Sequence, residues 1–421
     1  MSGVACNLDR QAVDHGQAGV DFDEWAVGKR IASYRVRRGL TQEELAGLVG
    51  ISLSMMKKIE SGDRLVTRFS QLVLFAQALR IKDLRDLAGV PLPLMPDGHR
   101  GHLSADAVYS ALMERAPAVD QPADLGGLER SIEHTWQTWQ QPSTFRYDAV
   151  GQRLPELIRE TQTALSRLEG NERRQALRLA STLFQLTRTW TKRVGEYELS
   201  LVAADRAVSC ALDADDPDLA GAAAWNLAMI LSTQGKTAQS RAVVYRAIAD
   251  LAPRLEKPSP SRLAVFGGLH LLGATEAARD DRPDEAHRLL DLATNVAGRT
   301  GETNHFRIVF GPTNVALHRV STAVELGRTA EALELAERVS VHQAPAVERR
   351  LTFHLDTARC YVRRRNDVAA VHMLQRIHRE SPEELRYSSQ VRETLRQLKG
   401  RARPAIEPDL RPLLAAASLT D

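Results

Sequence analysis

The chain has 421 residues, 43% apolar and 26% charged, with a net charge of +3. Those totals exclude a disordered chain, fit a folded protein of two or three domains, and make any basic surface a local one. No apolar run approaches the roughly 18 residues that suggest a membrane span, and the N-terminal MSGVACNLDRQAVDHGQAG lacks a signal-peptide core. A soluble, cytoplasmic protein is expected. Cys6, Cys210 and Cys360 are scattered, with no zinc spacing, and read as buried thiols of a reducing compartment. Ala, Leu and Arg dominate and alternating β-branched runs are scarce, so helices are expected nearly throughout.

Residues 1–20 are polar and are expected to be a disordered tail. From Phe22 the pattern turns helical, with Val27, Ile31 and Tyr34 at 3–4 spacing and Gly39 suited to a left-handed cap. Thr41-Gln42-Glu43-Glu44 is a capping box that opens a second helix with inner face Leu45, Ala46 and Val49. Gly50 allows a tight turn. Ser52 caps a third helix whose inner face is Met56 and Ile59, ended by Ser61-Gly62. A fourth helix carries Leu72, Phe75, Ala76 and Leu79, and a fifth spans Asp83–Leu87. Five short helices, the second and third joined by a Gly turn, predict a helix-turn-helix domain over 21–88.

Gly28-x-x-Ile31-x-x-x-Arg35, then Gly39-Leu40-Thr41-Gln42-Glu43-Glu44-Leu45-Ala46, Gly50-Ile51-Ser52 and Ile59-Glu60-Ser61-Gly62, resemble the Xre/Cro/phage-repressor class. The resemblance implies a five-helix lambda-repressor-like domain whose third helix enters the DNA major groove. With Met56 and Ile59 facing inward, Leu53, Ser54, Met55, Lys57 and Lys58 are expected to face outward. By resemblance, Leu53, Ser54 and Lys58 touch bases, and Gln42 braces a phosphate and the recognition helix. Lys58 would donate to guanine, Ser54 would pair with several base edges, and Leu53 or Met55 would pack on a thymine methyl. Leu53 stands where many members carry a hydrogen-bonding residue, so DNA shape should weigh more than usual. Ser52, Ser61, Arg38 and Arg64 complete the expected DNA-facing set.

Charge agrees: residues 22–90 hold twelve Lys/Arg against eight Asp/Glu. Lys29, Arg30, Arg35, Arg37, Arg38, Lys57, Lys58, Arg64 and Arg68 are candidate phosphate partners, which would make binding fall with salt.

Residues 89–102, GVPLPLMPDGHRGH, read as a linker; His99 and His102 there lack the companions of a metal site. From 103 to 400 the chain is a helical repeat. GEYELSLVAADRAVSCA, GKTAQSRAVVYRAIADLA, DRPDEAHRLLDLATNVA, GRTAEALELAERVSV and RNDVAAVHMLQRIHRES begin at Gly195, Gly235, Asp281, Gly327 and Arg365. Small residues recur five positions on, at Ser200, Ser240, Ala286, Ala332 and Ala370, where two antiparallel helices could approach closely. Residues 125–168 read as a further degenerate hairpin, and 401–421 as a C-terminal tail.

This register resembles the tetratricopeptide repeat, with irregular steps. The resemblance implies a solenoid with a concave groove lined by each first helix. The candidate groove residues are Arg193, Trp225, Asn226, Thr275, Arg279, Asn314, Glu325, Arg359 and Arg363, with Lys192, Met229 and Ser321 beside them. Asn would pair with an extended peptide and Arg with a carboxylate.

Gly267-Gly268 lies inside a helical pattern and reads as packing. The pairs Asp215-Asp216 and Asp280-Asp281 sit at helix ends, where capping accounts for them. With no nucleophile, phosphate-loop or metal motif, no enzyme, cofactor or metal is expected. Low aromatic content (5%) also argues against stacking on single strands. The layout resembles peptide-responsive regulators of Gram-positive bacteria and, more closely, Xre–tetratricopeptide regulators of actinomycetes. It implies a homodimeric transcriptional regulator that binds double-stranded operator DNA and senses a peptide, small molecule or protein partner in the groove. The rival is an adaptor whose helix-turn-helix serves tethering or protein contact.

Overall fold

In the computed structural model the described residues are 27–66, 69–81, 87, 102–114 and 124–419. The expected N-terminal tail, Arg68, nearly all of the fifth helix, and the linker up to residue 101 lie outside them.

Among the described residues, four helices build the N-terminal unit: α1 (Val27–Arg37), α2 (Gln42–Val49), α3 (Leu53–Ser61) and α4 (Phe69–Leu79). The Thr41 capping box forms as read: Glu44 N–H donates to Thr41 Oγ1 at 3.1 Å, and Thr41 N–H to Glu44 Oε2 at 2.7 Å. Gly50, at φ 73°, ends α2 in the left-handed region, and Ser52 Oγ accepts from Met55 N–H to start α3. Ile31, Leu45, Met56, Ile59, Phe75 and Leu87 fill the core. Helix α1 crosses α3 so closely that a Cβ at Gly28 would lie 1.8 Å from the Ile59 carbonyl oxygen.

The rest is a stack of helical hairpins. It comprises α5 (Ala105–Met113), α6 (Leu125–Gln140), α7 (Arg146–Arg167), α8 (Gly170–Arg193), α9 (Tyr197–Asp213), α10 (Pro217–Thr233), α11 (Thr237–Leu251), α12 (Pro260–Arg279), α13 (Pro283–Thr300), α14 (Pro312–Glu325), α15 (Thr329–Glu337), α16 (Val347–Arg363), α17 (Asp367–Glu380), α18 (Pro382–Tyr387), α19 (Ser389–Lys399) and α20 (Glu407–Ala416). Among the described residues there is no β-strand, only an isolated bridge between Thr303 and Phe310. The fold is all-α, a helix-turn-helix unit followed by a hairpin-rich region consistent with a solenoid.

Five hairpins pair α8 with α9, α10 with α11, α12 with α13, α14 with α15 and α16 with α17. Their turns fall at Gly195, Gly235, Asp281, Gly327 and Arg365, the positions that begin the sequence repeats, and all five have positive φ. In each, the next N–H reaches back five residues, as Glu196 to Thr191 and Arg282 to Ala277. This double closure leaves few orphan carbonyls at the helix end. The small residues five positions on are all fully buried. Where that residue is serine, its hydroxyl bonds across the hairpin: Ser200 Oγ to Arg188 O at 2.8 Å, Ser240 Oγ to Ala228 O at 2.9 Å.

The stack closes on itself. Arg146 of α7, fully buried, donates to Glu384 Oε2 (3.1 Å), Ser381 Oγ (3.1 Å) and Trp139 O (2.9 Å). Arg193 reaches the other oxygen of Glu384, and Tyr147 Oη donates to Oε2 at 2.8 Å. The 301–311 loop packs inward on α12, where Gly267 and Gly268 make room for Phe310 and Ile308. Those glycines are packing residues, as their helical setting suggested.

Residues 401–421, expected as a tail, instead supply α20, which buries Leu410, Leu413 and Leu414 against α17, α18 and α19. The prolines of that stretch hid the helix: Pro408 sits in its first turn, where proline is tolerated, and Pro412 lies inside it. His102, read as part of the linker, is buried, with Nε2 2.8 Å from Asp148. Burial holds its pKa below the ordinary value despite that carboxylate. Cys210 and Cys360 are buried free thiols; Cys6 lies outside the described residues.

Candidate DNA-recognition face

The geometry of α3 is set by a polar brace beneath it. Arg35 of α1 grips Glu60 with Nε to Oε1 at 2.6 Å and Nη2 to Oε2 at 2.9 Å, and sends Nη1 to Leu40 O. Gln42 Nε2 donates to the same Glu60 carboxylate at 2.8 Å. Helices α1, α2 and α3 are thereby cross-linked by one buried carboxylate, so every donor around it has a partner. The Glu60 bond also raises the pKa of Arg35 despite the opposing effect of burial. Gln42 therefore ties the start of α2 to α3.

Ser54 and Lys57 are exposed, and Leu53 and Lys58 are half-buried. Met55 corrects the sequence reading: it is 6% exposed and packs in the domain core with Met56. Helix α3 turns a wider apolar arc inward than Met56 and Ile59 alone would give, so no thymine contact falls to Met55. Arg30 is buried, and Arg35 is half-buried with its guanidinium spent on Glu60, so both leave the set of phosphate partners. Arg38 donates to Ala78 O, tying α1 to α4. Ser61 Oγ donates to Lys58 O at 3.1 Å and lies 2.7 Å from Asp63.

The outer face of α3 meets the hairpin stack. Asp281, at the α12–α13 turn, accepts from Ser52 Oγ at 2.7 Å through Oδ2 and from Lys58 Nζ at 3.3 Å through Oδ1. Arg64 Nη1 stands 3.8 Å from the same Oδ1, and its Nη2 donates to Arg279 O. At the next turn, a Cβ on Gly327 would come within 3.0 Å of Asp63 O. Three of the residues expected to face DNA, Ser52, Lys58 and Arg64, thus converge on one carboxylate of this same chain. Sequence reasoning missed Asp281 by assigning it to helix capping. The signal available was a lone Asp at a position that three of the five repeats fill with Gly.

The expected groove residues divide. Asn226 and Asn314 are buried and donate their amide N–H groups inside the stack, to Gln185 Oε1 (2.8 Å) and Val309 O (2.6 Å). Both lie inside the stack and not on an open groove wall, so neither offers its N–H groups to a peptide in the way expected. Trp225 is also buried, under the Arg349 guanidinium. Thr275 donates to Leu271 O within its own helix. Arg279 pairs with Glu276 and Glu325, and Arg359 with Asp356, which also accepts from Ser321, in a polar network across α12, α14 and α16, while Arg363 donates to Val324 O at 3.4 Å. Burial works against charge on Glu325, yet Arg279, Arg359 and then Arg64 hold its pKa below the ordinary value. Arg193 alone of the set faces the ring closure.

Residues 26–88 match a family described as a helix-turn-helix domain. The match spans the unit whose capping box, Gly turn and braced third helix are described above. No match was found among curated proteins or among solved structures. The chain thus carries an N-terminal helix-turn-helix domain, the kind of unit that binds DNA, ahead of an all-helical remainder in which no described helix is long and apolar enough to cross a membrane.

Proposed function

We propose that this protein is a sequence-specific transcriptional regulator of the Xre type, with a tetratricopeptide-like sensor region. Its conformation described here is the one not engaged with DNA. The observation that carries this reading is the placement of Ser52 and Lys58 on Asp281. An α3 that reads a major groove must offer these side chains to bases and phosphates. In the docked arrangement they are satisfied by an internal carboxylate that stands where a phosphate would. DNA binding then requires the helix-turn-helix unit to leave the α12–α13 and α14–α15 turns. A signal in the stack acts by favouring one arrangement over the other, since equal affinity for both shifts nothing.

The regulator acts as a homodimer on two half-sites, because one such unit makes few base contacts. The direct test is selection of genomic fragments by the purified full chain at physiological salt, with wild type and Asp281→Asn in parallel. A short two-fold symmetric site should be enriched, more strongly by the variant. Enrichment by neither protein would overturn the reading. The same docking favours one other function: a helix-turn-helix that contacts protein and serves an adaptor. That alternative is supported if Lys57→Ala leaves every cellular function intact.

A further inference from the structure

Near the ring closure, the inner ends of α8 and α16 bring together a group of cations that the helix-turn-helix contact does not use. Arg188 is 2% exposed, and its Nε and Nη2 have no hydrogen-bond partner among the described residues. Its Nη1 makes one long contact, 3.5 Å to Thr189 Oγ1. One turn on, Lys192 and Arg193 are half-buried, as is Arg349, whose guanidinium carbon lies 5.6 Å from the Trp225 ring centroid. Arg193 is paired with Glu384, which Arg146 already shares. Apart from Glu348, whose Oε2 is itself buried without a hydrogen-bond partner, no further carboxylate among the described residues bears on these cations.

A buried guanidinium with unmet donors is costly unless something supplies acceptors. The group is not internally compensated: five cations (Arg146, Arg188, Lys192, Arg193, Arg349) face two carboxylates. Titration behaviour agrees. Burial, then repulsion from Arg193 and Arg349, brings the Arg188 guanidinium down to about 9. Burial, then Arg188, Arg193, Arg279 and Arg349, holds the Lys192 ammonium well below its ordinary range, with no carboxylate among the causes.

The geometry points to a binding site for a small anion carrying two or more negative charges, of the phosphate or carboxylate class, held by Arg188, Lys192 and Arg349 inside the hairpin ring. Such an anion would accept from the idle Arg188 donors and cancel the excess charge; planar guanidinium forks suit both oxyanion classes. Arg279, which also repels Lys192, passes its carbonyl to Arg64, so occupancy is placed to bear on the docked recognition helix. That coupling rests on the proposed function; anion binding itself does not.

The test uses the full chain without DNA, so its failure is separate from failure of the regulator reading. Pyrophosphate and citrate are titrated calorimetrically at constant ionic strength. Saturable one-site binding tighter than about 1 mM is expected for at least one probe. Pyrophosphate alone would assign a phosphate ligand and citrate alone a polycarboxylate. Arg188→Met and Lys192→Met should each weaken binding by about tenfold or more. Arg188→Met should keep or raise the melting temperature without probe, and abolish the rise that the probe causes in wild type. Binding of neither probe, or equal binding by both variants, would overturn the site. A lowered melting temperature with binding intact would make Arg188 a structural residue and overturn it equally.

Discussion

Asp281→Asn should release the helix-turn-helix unit from the hairpin stack. Asparagine tolerates the positive φ of 58° at this turn, so the backbone of the hairpin survives the change. What it removes is the charge that Lys58 and Arg64 face, at 3.3 and 3.8 Å. The bond from Ser52 persists as a neutral one, about 1 kcal/mol weaker than to a carboxylate. The Lys58 pair is partly exposed and contributes about 0.5–1 kcal/mol after solvent screening. With a small term for the more distant Arg64, the docked form loses about 2 kcal/mol, a factor of about 30 in its equilibrium with the undocked form. Apparent DNA affinity scales with the competent fraction, so it rises by up to about 30-fold, and by less if the unit is already part-released. Fluorescence anisotropy on a selected fragment measures the affinity, and hydrogen exchange over 53–61 reports release independently. Unchanged affinity together with unchanged exchange would refute the reasoning: the docking would then not depend on this carboxylate.

Lys57 is exposed on α3, and the proposed function makes it a phosphate contact. Its replacement by Ala should weaken binding about uniformly across sequences and lower the salt slope by about 1. Gly28→Ala should loosen the contact of α1 with α3, because the new methyl would lie 1.8 Å from Ile59 O. The shift needed costs about 1–3 kcal/mol, and hydrogen exchange in α1–α3 should accelerate while α8–α17 stay protected. Glu384 gives a pH dependence. Burial opposes its charge, but Arg193 and Arg146 hold its pKa below the ordinary 4.5. A depressed folded value means the closure is at full strength above pH 4.5 and is lost as pH falls through that lower value. The melting temperature should drop in that window in wild type, and Glu384→Gln should flatten the drop while lowering stability at neutral pH.

Much of this protein is local, and what is local was legible. The Thr41 capping box, the Gly50 turn and the Ser52 cap each involve residues within four positions of one another, so their chemistry is written in one short string. The hairpin turns at Gly195, Gly235, Asp281, Gly327 and Arg365 follow from the repeat offsets. A small residue is required where two helix backbones touch, and the offset of five is fixed by helix geometry.

What only the tertiary structure decided are encounters between distant charges. Arg35 looks like any surface arginine until Glu60, 25 residues on, meets it under α3. Met55 looks exposed if two positions are taken as the whole inner face of a nine-residue helix. Ser52 and Asp281 are 229 residues apart, and no periodicity relates them. Arg188 breaks its own repeat register, where the other four hairpins carry Ala228, Ala274, Val320 and Ala358, yet the sequence does not say that Lys192 and Arg349 gather around it. The physical reason is common to all four. Hydrophobic spacing and capping act within a turn or two of helix, whereas what a side chain finally meets is chosen by how whole helices and hairpins pack.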